Sequence, residues 1–313
     1  MSATNDILPN HAKAPITDTS ALGLSALSAI FWGTNFEATR IALSGLPPWT
    51  AAALRFAIAA IAILFWLRLS GGLDFRVLRR NLFAYLALGC VGVAGFNAAL
   101  FLGMQTSSPV TAALIMGTTP LTTNLIDAVL QRRLPAAGAV LGMAISLFGV
   151  SLTVGAFSGT RFTSGDLLIL AGSLAWALYT IGCRRAVTDA TPMQTTAWTM
   201  TAGALVLLFA AFFFETPFTA LTASTAPALG AVLWMAVIGS VLAYIFWQIG
   251  IARRGPGATS VVFNLVPVSA LVIAAVFGRM PDLYQIAGVA IAIFGILLAS
   301  GRLPRLKASN ASA

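Results

Sequence analysis

Apolar runs of about twenty residues follow one another along nearly the whole chain, separated by short stretches of Pro, Gly or charge. A helix rises about 1.5 Å per residue, so one such run matches the roughly 30 Å of hydrocarbon in a bilayer. The ten-residue alternation of an outer-membrane barrel is missing. The chain is therefore expected to be an all-α integral membrane protein. Its composition agrees, with 58% hydrophobic and 9% charged residues and a mean hydropathy of +0.91.

Counting runs gives ten transmembrane helices. They are expected at about 20–44, 49–69, 81–103, 108–130, 135–156, 165–183, 191–214, 226–251, 257–277 and 283–300. The net charge of +9 could suggest nucleic acid in a soluble chain, but topology uses it here, and no nucleic-acid partner is expected. With the N-terminus inside, fourteen of the eighteen basic residues fall on the cytoplasmic side: Lys13, Arg68, Arg76, Arg79, Arg80, Arg132, Arg133, Arg184, Arg185, Arg253, Arg254, Arg302, Arg305 and Lys307. Arg161 and Arg279 fall outside, and Arg40 and Arg55 within spans. This positive-inside alternation predicts both termini cytoplasmic. Residues 1–19 read as a cytoplasmic tail without the apolar core of a signal peptide, and 301–313 as a basic tail. Cys90 and Cys183 lie inside apolar runs and His11 in the leader, so no disulfide, metal site or cofactor is expected.

The chain also repeats itself. Pro109, Pro120 and Gly103 recur as Pro256, Pro267 and Gly250, displaced by 147; Trp32, Arg40 and Pro48 recur as Trp176, Arg184 and Pro192, displaced by 144; Gly142 and Gly149 recur as Gly288 and Gly295, displaced by 146. Residues 20–156 and 165–300 are thus expected to be copies. Five spans is an odd number, so the copies enter the membrane in opposite directions. That is the inverted-repeat architecture of carriers, with a site near the midplane between the halves.

The FWGTNF opening of span 1, the mid-helix Pro120 of span 4, the five-plus-five repeat and the short loops resemble the drug/metabolite transporter superfamily, EamA-type exporters. Within it the chain looks most like the aromatic amino acid exporter type. The resemblance covers about 22–298 and implies a central cavity ringed by helices 1 to 4 and 6 to 9, with 5 and 10 packed outside.

Candidate residues follow. Pro120 and Pro267 remove a backbone donor in mid-helix and read as hinges, or as ordinary helix curvature. Gly117 and Asn264 precede them at matched positions. On span 1, Ser28, Trp32, Asn35, Phe36 and Thr39 share a stripe; on span 6, Gly172, Trp176, Tyr179, Thr180 and Cys183 do. Aromatic stripes with small polar atoms suit a flat, partly apolar ligand, and also interhelical packing. Tyr85, Asn97, Met116, Thr119, Tyr244, Gln248 and Phe263 complete the expected substrate-binding set. Glu37 is read as an ion pair with Arg40 and Arg55, as a proton-coupling carboxylate, or as a substrate contact. Asp127, near the cytoplasmic end of span 4 and within reach of Arg132 or Arg133, is expected to be an interface anchor. Gly138 and Gly142, with Gly288 and Ala292, have the spacing of helix-packing seams.

The expected function is secondary-active export of aromatic or other neutral amino acids, or related small metabolites, by alternating access. The expected setting is a bacterial-type cytoplasmic (inner) membrane, with the lipid bilayer and a small-molecule substrate as partners and a monomer as the working unit. A multidrug exporter of flat organic cations is the alternative. A channel and a membrane-embedded enzyme fit less well, because the repeat favours a carrier and catalytic clusters are missing.

Overall fold

The computed structural model describes residues 17–132, 137–153 and 163–299. The tails, the expected ends Pro135 and Ala156 of span 5, and Lys13, Arg133, Arg161, Arg302, Arg305 and Lys307 lie outside the described residues. The described residues form helices and no strand.

The long helices are α1 (Asp18–Leu43), α2 (Pro48–Leu69), α3 (Leu82–Gly103), α4 (Pro109–Leu130), α5 (Ala137–Thr153), α6 (Ser164–Ala186), α7 (Pro192–Phe214), α8 (Ala226–Arg254), α9 (Pro256–Val276) and α10 (Leu283–Ala299). Among the described residues, α2 to α4 and α6 to α9 are the seven long and apolar enough to cross a membrane. Helix α1 is long enough at 26 residues, but Asp18, Glu37 and Arg40 dilute its hydropathy, while α5 and α10 are short at 17 residues each.

Local sequence sets the helix starts. Ser108, Thr191 and Thr225 accept backbone N–H bonds at the heads of α4, α7 and α8, each with a proline in the first turn, where a missing donor costs nothing. Thr163 and Asp166 form a reciprocal capping box on α6, as Thr191 and Gln194 do on α7. Large apolar side chains such as Phe65, Phe83, Phe209 and Phe213 face outward, as contact with lipid requires.

The two repeats interleave. Helix α1 packs chiefly on α8 and α9 of the other copy, and α6 correspondingly on α3 and α4. Helix α2 packs against α7, and α5 against α10. Contact between α1 and α2 is slight although they adjoin in sequence, so neither repeat encloses a core of its own.

Close approach is bought with glycine at matched positions of α3 and α8. A Cβ on Gly92 would collide with Tyr179, and one on Gly239 would lie within 2.6 Å of the Asn35 side-chain carbon. Both glycines sit in wide π-helical turns, Gly89–Gly95 and Met235–Leu242, which bend the helix where the partner crosses. Helices α4 and α9 are interrupted ahead of their prolines. The first breaks between Gly117 and Thr119, and the second tightens to a 3-10 turn over Val261–Asn264. A Cβ on Gly117 would stand 3.2 Å from the Pro267 ring, so the two interruptions meet.

Helices α5 and α10 join through Gly142, Ser146 and Gly149 against Gly288, Ala292 and Gly295. A Cβ on Gly149 would sit 2.5 Å from the Gly288 carbonyl. The seam therefore reaches two turns farther along α5 than the sequence spacing suggests, to Gly149, while Gly138 has open space beside it.

Candidate functional site

Where the repeats meet, aromatic rings fill the centre. Trp32 of α1 stands edge-on to Trp176 of α6 at 5.1 Å, to Tyr244 at 5.8 Å and to Trp247 at 5.1 Å. Phe263 of α9 lies 5.3 Å from Trp32, and Trp176 stacks on Tyr179 at 5.0 Å. Such pairs contribute about 0.5–1.5 kcal/mol each beyond their buried area, so the cluster is a firm wall.

Beside it lies a cavity. Trp32, Asn35 and Phe36 come from α1, Trp176 from α6, and Phe96 and Leu100 from α3. Arg55 of α2, Met116 of α4, and Phe263 and Val266 of α9 close it. About 370 Å³ is free of atoms, but only about 20 Å³ is wide enough to take the centre of a water molecule. The centre of the described conformation is therefore narrow, and admitting an organic molecule there requires side chains or helices to move apart.

Polar groups are few and specific. Trp32 Nε1 donates to the Gly239 carbonyl at 2.9 Å, and Ser28 Oγ to the Ala243 carbonyl at 2.8 Å. Arg55, 2% exposed, donates from Nε to Ser240 Oγ at 2.9 Å and from Nη1 to Asn97 Oδ1 at 3.2 Å, and reaches Gly239 O at 3.4 Å. Asn97 Nδ2 donates in turn to the Val93 carbonyl. Asn35 Oδ1 and Trp176 Nε1 are buried without a partner. A second polar cluster adjoins: Gln248 Nε2 donates to Tyr179 Oη at 2.9 Å and to Cys183 Sγ at 3.2 Å, with Thr199 Oγ1 3.2 Å from Tyr179.

Of the expected substrate-binding residues, Trp32, Asn35, Phe36, Met116, Trp176 and Phe263 line the cavity. Asn97 and Tyr244 stand one layer back, against Arg55 and the rings. Tyr179 and Gln248 belong to the adjoining cluster. Thr119 hydrogen-bonds Ser173 at 3.0 Å between α4 and α6, and Tyr85 is buried away from the cavity. Pro120 and Pro267 sit at the interruptions described above.

The expected pairing of Glu37 with Arg55 is corrected. Glu37 accepts from Arg40 Nε and Nη2 at 2.9 and 2.6 Å and from Arg279, and Arg55 is elsewhere. The cause is the packing of α2 on α7 and α8 rather than on α1. Asp127 likewise pairs with Arg185 at 2.8 Å and with neighbouring Gln131, instead of Arg132. The two ion pairs tie α1 to the end of α9 and α6 to the end of α4, matched contacts at opposite ends of the bundle.

Sequence reasoning missed Trp247, whose signal was its place three residues after Tyr244 on one helical face. It also missed Glu215, whose carboxylate accepts from the Trp49 and Thr50 backbone N–H groups and so caps α2 from the end of α7. Nothing local marks that role.

Seven helices long and apolar enough to span a membrane and two interleaved copies of one family unit around a central cavity fit a multi-pass membrane transporter. The chain belongs to the EamA-like transporter family of the drug/metabolite transporter superfamily, whose model matches residues 19–155 and again 163–301. It is 36% identical to the uncharacterized transporter YyaM of Bacillus subtilis, over 91% of this chain and 95% of the relative. A probable terminal-alkyne amino-acid exporter of Streptantibioticus cattleyicolor is 24% identical over 88% of this chain and 92% of its own. A solved crystal structure with 22% identity superposes at a TM-score of 0.70 over 90% of this chain and 97% of that one, which shows the shared fold.

Proposed function

We propose that the protein is a secondary-active exporter of aromatic or other neutral amino acids, or related small metabolites, working by alternating access. It crosses a bacterial cytoplasmic (inner) membrane ten times with both termini inside and acts as a monomer. The observation that carries this reading is the cavity itself: aromatic, weakly polar, narrow, and walled by helices of both repeats. Pro120 and Pro267 serve as the hinges where α4 and α9 flex, since both helices already lack regular hydrogen bonding there. The amino-acid exporter among the relatives supports the substrate class.

Export of flat organic cations is the weaker reading. It calls for a carboxylate open to the cavity, and Glu37 is held by two arginines outside it.

Purified protein in liposomes, given labelled Phe, Trp and Thr with and without an imposed pH gradient, tests the proposal. Saturable uptake with exchange stimulation is expected. Movement of cationic dyes without any movement of, or competition by, neutral amino acids would overturn it.

A further inference from the structure

Arg55 holds a buried positive charge that no acidic side chain among the described residues neutralises. Among the described residues no Asp or Glu forms an ion pair with it, and Glu37, the nearest acid in sequence, is taken by Arg40 and Arg279. Its partners are a hydroxyl, an amide and a backbone carbonyl, with the Phe56 ring 4.9 Å from the guanidinium carbon. A guanidinium carries five N–H groups and three are used, which leaves one on each terminal nitrogen. An ionised side chain at membrane depth is costly unless it faces a cavity or a partner, and Arg55 lines the central cavity.

A second, independent observation points the same way. Trp176 lines that cavity, and its Nε1 is buried without an acceptor, whereas its repeat counterpart Trp32 gives its N–H to Gly239. An indole nitrogen only donates, so what it lacks is an oxygen to accept. The cavity lining contains no carboxylate. Two donors demanding an acceptor, one of them charged, stand in an aromatic chamber whose one unpartnered acceptor among the lining residues, Asn35 Oδ1, is neutral and gives an ammonium group no counter-charge.

We propose that Arg55 and Trp176 Nε1 form a carboxylate-binding site, and that the transported molecule is an aromatic carboxylate whose amino group is dispensable. This rests on reading the cavity as the transport site and narrows it. Arg55 supplies charge and a forked donor, Trp176 a single donor, and the rings take the flat body.

The test compares 3-phenylpropionate, phenylalanine and phenethylamine as ligands of the purified full chain, by titrated thermal stabilisation. The two carboxylates are expected to bind within about threefold of each other, and the amine at least about tenfold more weakly. Arg55→Gln should abolish carboxylate binding, and Arg55→Lys should weaken it about tenfold because the fork is lost. Trp176→Phe keeps the ring and is expected to fold; it should weaken both carboxylates about threefold to tenfold. Equal binding of amine and carboxylates, no carboxylate binding at all, or unchanged carboxylate affinity in Trp176→Phe would each overturn the proposal. Uptake by liposomes separates this from the broader reading. Carboxylates that bind but are never transported would sink the carrier and leave the site. Saturable transport of amines without carboxylate binding would sink the site and leave the carrier.

Discussion

The two repeats share their mould and differ in their chemistry. Asn35 sits on Gly239 as Tyr179 sits on Gly92, both glycines lie in π-helical turns, and both fourth helices break ahead of a proline. At these positions the copies agree in shape. At the polar positions they do not: where the first repeat has Arg55 and Asn97, the second has Thr199 and Tyr244. Trp32 has an acceptor and Trp176 has none. Common ancestry of the halves accounts for their shared frame. Divergence of a few side chains placed one charge off the axis of that frame.

The equivalence of the two glycine seats can be broken directly. Gly92→Ala and Gly239→Ala should each destabilise by about 1–3 kcal/mol, because the Cβ meets a packed side chain. Gly230→Ala, with nothing within 4 Å, should leave the melting point unchanged or slightly raised. Trimming the obstacle in Gly239→Ala/Asn35→Ala should recover most of the loss. A large difference between the two single variants in detergent melting would show that the seats are not equivalent.

Glu37→Gln removes an acceptor shared by two guanidinium groups and should cost about 1–2 kcal/mol, less than a fully buried pair because both arginines are roughly half exposed. If gradient-driven uptake in that variant stops while its melting curve stays normal, Glu37 is a proton carrier and not merely a tie between α1 and α9. Both Trp32→Phe and Trp176→Phe lose buried indole bulk, and Trp32→Phe should lose about 1 kcal/mol more with its bond to Gly239, since the Trp176 N–H is already without a partner. Equal losses would erase the asymmetry. Asp127→Asn should have the smallest effect, below about 1 kcal/mol, because both members of its pair are about two-fifths exposed.

The frame was more legible than the charges. Pro120, Pro267 and the stripes through Trp32 and Trp176 depend on local rules of helix hydrogen bonding and 3.6-residue spacing, and the sequence carries those rules in plain form. Arg55 was misread because adjacency along the chain was taken for adjacency in space. In an interleaved bundle the second helix of a repeat looks to the seventh and eighth, not back to the first. Glu215 was invisible for the same reason: it serves a helix start more than 160 residues away. The seam between α5 and α10 was legible in type, as small residues spaced by a turn, and shifted in register.

Interleaving also sets a timetable. The chain must place Arg55 in the membrane before Ser240, its hydrogen-bond acceptor, has been made 185 residues later. At a synthesis rate of about 5–20 residues per second, that interval is on the order of ten to forty seconds. Through most of it, the nascent second helix has Asn97, 42 residues on, as its one side-chain acceptor for Arg55, and α1 has neither of its main neighbours. The half-made protein is therefore the state in which the insertion machinery has most to shelter, and the same arginine that gives the finished cavity its polarity makes the chain slow to become self-sufficient.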